Sequence, residues 1–231
     1  MSSLFLIGLL VLLSFIAIAT YRTNQVLKEW TPEENILLSL PENIARLVMI
    51  AIAIILGFLS HESFRTLGWA PPHPLGDVGI GLAIGILLPI ILFYPSRWVE
   101  NHHPEWYSDV VIRSIRPRTP AEWPWLVLAL SSVALMEELL FRSLLLGAFA
   151  PHVNILYFVI GVSILFGLLH LPQGEWGVSG VILVSLILSV LFLWRESILV
   201  VFIAHWVMNV MQLVLDALTR EEDNQKAVVG D

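Results

Sequence analysis

The sequence predicts an all-α fold, a polytopic transmembrane bundle of about seven spans. Three observations lead there. Hydrophobic residues fill 57% of the 231 positions and charged residues only 13%. Mean hydropathy is +0.82. Leu, Ile and Val recur in several uncharged windows of roughly 18 residues or more, the length a helix needs to cross hydrocarbon. The net charge of −7 lies largely in loops and tail, and no long basic run points to nucleic acid. The absence of cysteine excludes disulfides, thiolate catalysis and zinc-thiolate sites.

The first apolar segment covers residues 4–19. Ala17-Ile18-Ala19 resembles a signal-peptide cleavage site, but residues 1–3 carry no Lys or Arg. A retained helix is the expectation. A polar connector over 21–41 precedes the second span, 44–60, with Arg46 near its end and able to snorkel. A loop with Pro71, Pro72 and Pro74 leads to the third span, 78–94. There Gly81 and Gly85 allow close helix contact and Pro89 introduces a kink.

The long connector 95–122 mixes Arg97, Arg113, Arg116 and Arg118 with Trp98 and Trp106, the composition of an interfacial segment. His102, His103 and Glu105 could be read there as a metal cluster, though exposed polar loop residues are the ordinary reading. Four spans then follow closely, at 123–149, 153–170, 176–194 and 197–218. This divides the chain into a region 1–119 of three spans plus connector, a core 120–218 of four spans, and a polar, disordered tail 219–231. Counting Lys and Arg on alternate sides, the positive-inside rule puts the 95–122 connector and the C-terminus in the cytoplasm and the N-terminus outside.

The core carries an unusual cost. Glu137, Glu138 and Arg142 stand in an otherwise apolar run. Each ionised group at membrane depth costs at least ~2.5 kcal/mol, so such groups are rare and usually functional. Glu138 and Arg142 share a helix face at i, i+4 and can pair. Glu137 is turned by about 100° and is left over. The next span brings Phe166 and His170 onto one face, and the last span His205 and Asn209, each again at i, i+4. Singly, each has a bland reading: an interhelical hydrogen bond, or an ion pair that fixes packing. Together they put five or six costly groups on three helices.

The set suits hydrolysis. A carboxylate can take a proton from water, a histidine can orient or relay it, and a second histidine with an amide can donate to a developing oxyanion. Glu137, His170 and His205 would equally serve as a two-His, one-Glu metal site. One difficulty is depth. Glu137 lies about 14 residues into its span while His170 ends its own, so a helix must be longer, tilted or broken around a cavity.

Glu137-Glu138-xxx-Arg142, Phe166-xxx-His170 and His205-xxx-Asn209 resemble the three motifs of the CPBP family, the CAAX-prenyl-protease-type and bacteriocin-processing intramembrane proteases also called Abi. The resemblance covers about residues 120–215, and the first three spans carry no diagnostic motif. It implies an endopeptidase in which Glu137 activates water with help from His170. It further implies that His205 and Asn209 stabilise the oxyanion and that Glu138, Arg142 and Phe166 support the site. Such proteases have been described as glutamate enzymes and as metalloenzymes. The cofactor is thus either none or one divalent metal such as zinc. The implied partners are a membrane, expected to be the plasma membrane of a prokaryote, and a peptide or lipid-modified protein substrate.

Two other classes compete. A non-catalytic immunity or scaffold protein could bind a partner through the same polar pocket. A small proton-coupled transporter could relay protons through Glu137 and Glu138, although no inverted repeat or pair of broken helices is visible.

Overall fold

A computed structural model describes residues 1–229 except 31 and 33, and gives only the backbone path for Lys28 and residues 221–229. Most of the described residues are helical, and no strand occurs among them. The helices are α1 (Ser3–Glu29), α2 (Leu40–Ser60), α3 (Pro74–His102), α4 (Val110–Ile115), α5 (Trp123–Glu138), α6 (Ile155–Leu168), α7 (Gly174–Arg195) and α8 (Ile198–Val229). Helix α5 continues directly as a π-helix, Leu139–Gly147.

Six helical runs are long and apolar enough to cross a membrane, and α6 is a shorter apolar helix. The protein is therefore an integral membrane protein. Its surface agrees: Leu4, Ile7, Leu10 and Val11 on α1 are each at least 60% exposed, an arrangement water would penalise and lipid accepts. The opposite face of α1 enters the core, where Phe5, Leu9 and Leu12 pack with α2 and the π-helix. Ser2 caps α1 by accepting from the Phe5 N–H and donates to the Leu59 carbonyl at 2.6 Å.

Helix α2 starts with Pro41 and Glu42 in its first turn, where the ring costs no hydrogen bond and the carboxylate meets the positive helix end. Arg46 does not snorkel. It is 2% exposed and turns inward to the Ser132 hydroxyl of α5 at 3.2 Å and to Asn43 at 3.1 Å. Inside the protein its donors find fixed partners, which explains the inward turn.

Helix α3 packs most extensively on α8. A Cβ at Gly81 or Gly85 would meet the Val200 or Ala204 carbonyl at 2.8 and 2.7 Å, so only glycine permits this approach. The helix runs on through Pro89 and Pro95 to His102, well past the expected end at residue 94.

The connector after α3 folds back over the bundle as the short α4. Asn35 donates to the carbonyls of Ile115 and Arg116 at 2.7 and 3.1 Å, and Ser108 to that of Pro172 at 3.0 Å. His102 and His103 stack on Trp98 and Trp106 at 5.0 and 4.3 Å. Among the described residues no three His, Asp or Glu side chains form a metal-binding group, here or elsewhere. The backbone of the polar tail continues α8 to residue 229 rather than leaving it; residues 230 and 231 lie outside the described residues.

The depth difficulty resolves through α6. Its 14 residues span only about 21 Å, less than the ~30 Å hydrocarbon core. The helix alone is shorter than that core, and His170 follows in the turn after it. Irregular backbone at that depth is tolerated where it lines a cavity.

Candidate active site

A cavity of about 710 Å³ lies between α3, α4, α5, α7 and α8. Glu137, Phe166, His170, His205 and Asn209 all line it. Glu138 and Arg142 stand behind its wall, both fully buried. The seven residues singled out in the sequence thus gather around one space, from three different helical runs.

The wall is built from α5 and the π-helix. Glu138 accepts from the Arg142 Nη1–H at 3.1 Å, the i, i+4 pair expected from spacing. The same Oε1 also contacts His205 Nδ1 at 2.7 Å. An ionised carboxylate only accepts, so Nδ1 carries the proton. Arg142 reaches across to α7 through Nη2, donating to the Ser185 hydroxyl at 3.1 Å and its carbonyl at 3.3 Å. Its guanidinium also lies over the Phe166 ring at 4.8 Å, a cation–π contact strengthened by the burial of both side chains. Phe166 is the hub of the site, its centroid 4.7 Å from Phe141, 4.6 Å from His170 and 6.2 Å from His205.

The π-helix explains how the buried pair is held. Its i→i+5 bonding widens the turn, and every residue from Leu139 to Gly147 is buried. The tight side is Gly147, where a Cβ would come within 2.6 Å of the Thr66 carbonyl.

The two histidines are set differently. His170 Nδ1 lies 2.8 Å from the Phe166 carbonyl, so it carries a proton there and leaves Nε2 as an acceptor facing the cavity side of the ring. His205 is fixed at Nδ1 by Glu138, and its Nε2 stands 3.6 Å from Glu137 Oε2. That gap is too long for a hydrogen bond. Glu137 is 17% exposed at its side chain, against 0% for Glu138. One carboxylate is thus held and the other reachable. Glu137, His170 and His205 do not converge as metal ligands; the ligand set open in the sequence does not fit a metal as these side chains are placed.

Three features carried little sequence signal. Ser185 holds Arg142, yet serine in a membrane span is commonplace. Arg46 reaches α5 at Ser132, five residues before Glu137. At the cavity mouth Arg116 grips Asp216 with two bonds, Nε at 3.0 Å and Nη2 at 2.7 Å. Beside it the Tyr107 phenol is pushed up to about 12, first by burial and then by the carboxylates of Glu100, Asp109 and Asp216.

No curated protein and no solved structure matches the chain. A family model does: the one described as Rce1-like, Type II CAAX prenyl endopeptidase Rce1-like, matches residues 119–211, the stretch that holds all three motifs.

Proposed function

We propose that the protein is an intramembrane endopeptidase of the CAAX-processing type, with Glu137 as the base that activates water. One observation carries the reading: Glu137, His170, His205 and Asn209 line a single cavity from three separate helical runs. The family match supports peptidase chemistry at a coarser level.

The chemistry follows from the atoms that face the cavity. The Glu137 carboxylate takes a proton as water attacks the scissile carbonyl carbon. His170 Nε2 accepts the other water hydrogen and so orients the lone pair. The carbonyl oxygen becomes an oxyanion, stabilised by the Asn209 amide N–H and by His205 Nε2–H. With Nδ1–H held by Glu138, His205 can donate from Nε2 only as imidazolium. Collapse breaks the C–N bond, and Glu137 returns its proton to the leaving amine. Glu138, Arg142 and Phe166 hold His205 and His170 in place.

The cavity mouth lies among Arg97, Arg116 and Arg220, while Arg65 and Arg195 meet Glu196 and Asp77 at the other end. The positive excess at the mouth makes that side cytoplasmic. The substrate is a C-terminal or membrane-adjacent peptide, a lipid-modified protein tail among the candidates.

The test uses purified protein and an internally quenched peptide ending in an S-farnesylated C-a-a-X tail, with its unmodified counterpart as control. Cleavage at one bond, present in the native protein and abolished in Glu137→Gln, is the expected result. Cleavage that persists in Glu137→Gln overturns the assignment. Exhaustive chelation should leave the rate largely unchanged; loss on chelation, restored by a transition-metal ion, would replace this mechanism by a metal-bound water.

A further inference from the structure

Along α8 one face looks into the cavity in steps of three and four: His205, Asn209, Gln212, Asp216 and Arg220 all line it. The two ends of this stripe are paired. His205 is bonded to Glu138, and Asp216 is held by Arg116 at 2.7 Å and Arg220 at 3.1 Å. The middle is not. Neither the Asn209 nor the Gln212 carboxamide forms a hydrogen bond to any described residue. Asn209 has a place in the proposed chemistry; Gln212 has none.

Position gives Gln212 a use. It lies three residues beyond Asn209 and seven beyond His205, about 4.5 and 10.5 Å along the helix axis. An extended peptide advances about 3.3–3.6 Å per residue, so 10.5 Å is about three residues from the reacting centre towards the mouth. A carboxamide carries one acceptor and two donors, the same complement as a peptide group. On α7, Gly177 and Gly180 line the same cavity, and a Cβ at Gly180 would meet nothing within 4 Å. A main chain can therefore approach there without meeting side chains.

Resting on the endopeptidase reading above, we infer that Gln212 is a substrate-binding residue whose carboxamide oxygen accepts from a main-chain N–H of the peptide about three residues from the cleaved bond. Because it reads main chain, it fixes register without selecting a side chain at that position.

The experiment compares native protein with Gln212→Ala on the quenched farnesylated peptide and on a series of its copies, each N-methylated at one backbone amide. Gln212→Ala should raise KM about threefold to tenfold, the scale of one net hydrogen bond, with kcat little changed, since remote uniform binding is lost. One N-methylated peptide, modified two to four residues from the cleaved bond, should show the same KM rise in native protein and no further rise in Gln212→Ala. An unchanged KM, a loss confined to kcat, or a methylation penalty undiminished at every position in Gln212→Ala overturns the inference. Affinity of the labelled peptide for Glu137→Gln and for Glu137→Gln/Gln212→Ala, read by fluorescence anisotropy, is independent of turnover. A threefold to tenfold weakening in the double variant supports the role of Gln212 even where the endopeptidase reading fails, and equal affinities refute it even where cleavage is confirmed.

Discussion

Two arginine–carboxylate pairs, each with a fully buried carboxylate, sit at different levels of this bundle, and they differ in what they require. Asp77 and Arg195 join the first turn of α3 to the last turn of α7, with Arg195 Nη2 2.8 Å from Asp77 Oδ1. Asp77 lies at a positive helix end and Arg195 at a negative one, so each helix stabilises its own charge. Packing accounts for that pair. Glu138 and Arg142 lie at the centre of a helical run, away from either end, with both side chains at 0% exposure. They need His205, Ser185 and the Phe166 ring to complete their environment, and one turn of that network faces a cavity. Burial of a charge is common to both pairs. The neighbouring reachable polar groups, Glu137, His170 and Asn209, belong to one alone.

The sharpest break in that comparison is at Glu137. Glu137→Gln keeps shape and volume but cannot accept a proton, so the rate should fall by about 10²–10⁴ while the thermal unfolding of purified protein in detergent stays within error of native. Near-normal turnover by folded Glu137→Gln would make the cavity-side pair no more than a packing device like its counterpart.

The pairs themselves come next. Glu138→Ala and Arg142→Ala should each cost about 3–5 kcal/mol, because the partner is left buried and uncompensated. The double variant should lose less than the sum. Asp77→Ala should be destabilising on a similar scale by the same physics, yet its activity per folded molecule should equal native. Activity lost in proportion for Asp77→Ala would mean that the two ends of α7 are coupled, and the contrast between the pairs would fail.

The contrast also shows what a sequence can carry. Six long apolar helices and a shorter seventh, the Glu138–Arg142 pair and the glycine contact at Gly81 and Gly85 were legible because each depends on period and spacing within one helix. The same kind of signal extends to Gln212, which continues the stripe of His205 and Asn209. Ser185 and Arg116 were not legible. Ser185 meets Arg142 across 43 positions and Arg116 meets Asp216 across 100, distances at which no local pattern survives. The π-helix was equally invisible, since it packs against α2, α6 and α7, partners that lie far away in sequence. Arg46 misled for a related reason: near a span end, snorkelling is the default, and only the position of Ser132 reverses it.

The oxyanion donor sharpens the chemistry on the cavity side. In Asn209→Ala the rate should fall by about 10²–10³, the scale of a lost oxyanion donor, while the unfolding midpoint in the same detergent stays within error of native. A native rate in folded Asn209→Ala would remove the amide as a donor.

The smallest effect belongs to the pair that resembles both others and shares the environment of neither. Arg65 and Glu196 meet at the same end as Asp77 and Arg195, joining the loop after α2 to the α7–α8 turn. Their side chains are 68% and 46% exposed. Water screens such a pair, and ordering two long side chains offsets much of the attraction, so exposed pairs contribute about 0.2–1 kcal/mol. Glu196 also sits at φ 50, a left-handed position set by the tight turn rather than by its partner. Arg65→Ala should therefore shift the unfolding midpoint little, and should leave cleavage unchanged. Substituting Glu196 by glycine, which relieves the left-handed strain while removing the charge, should be neutral or slightly stabilising. A loss for Arg65→Ala as large as that for Asp77→Ala, measured in the same detergent, would show that exposure to solvent does not separate these pairs.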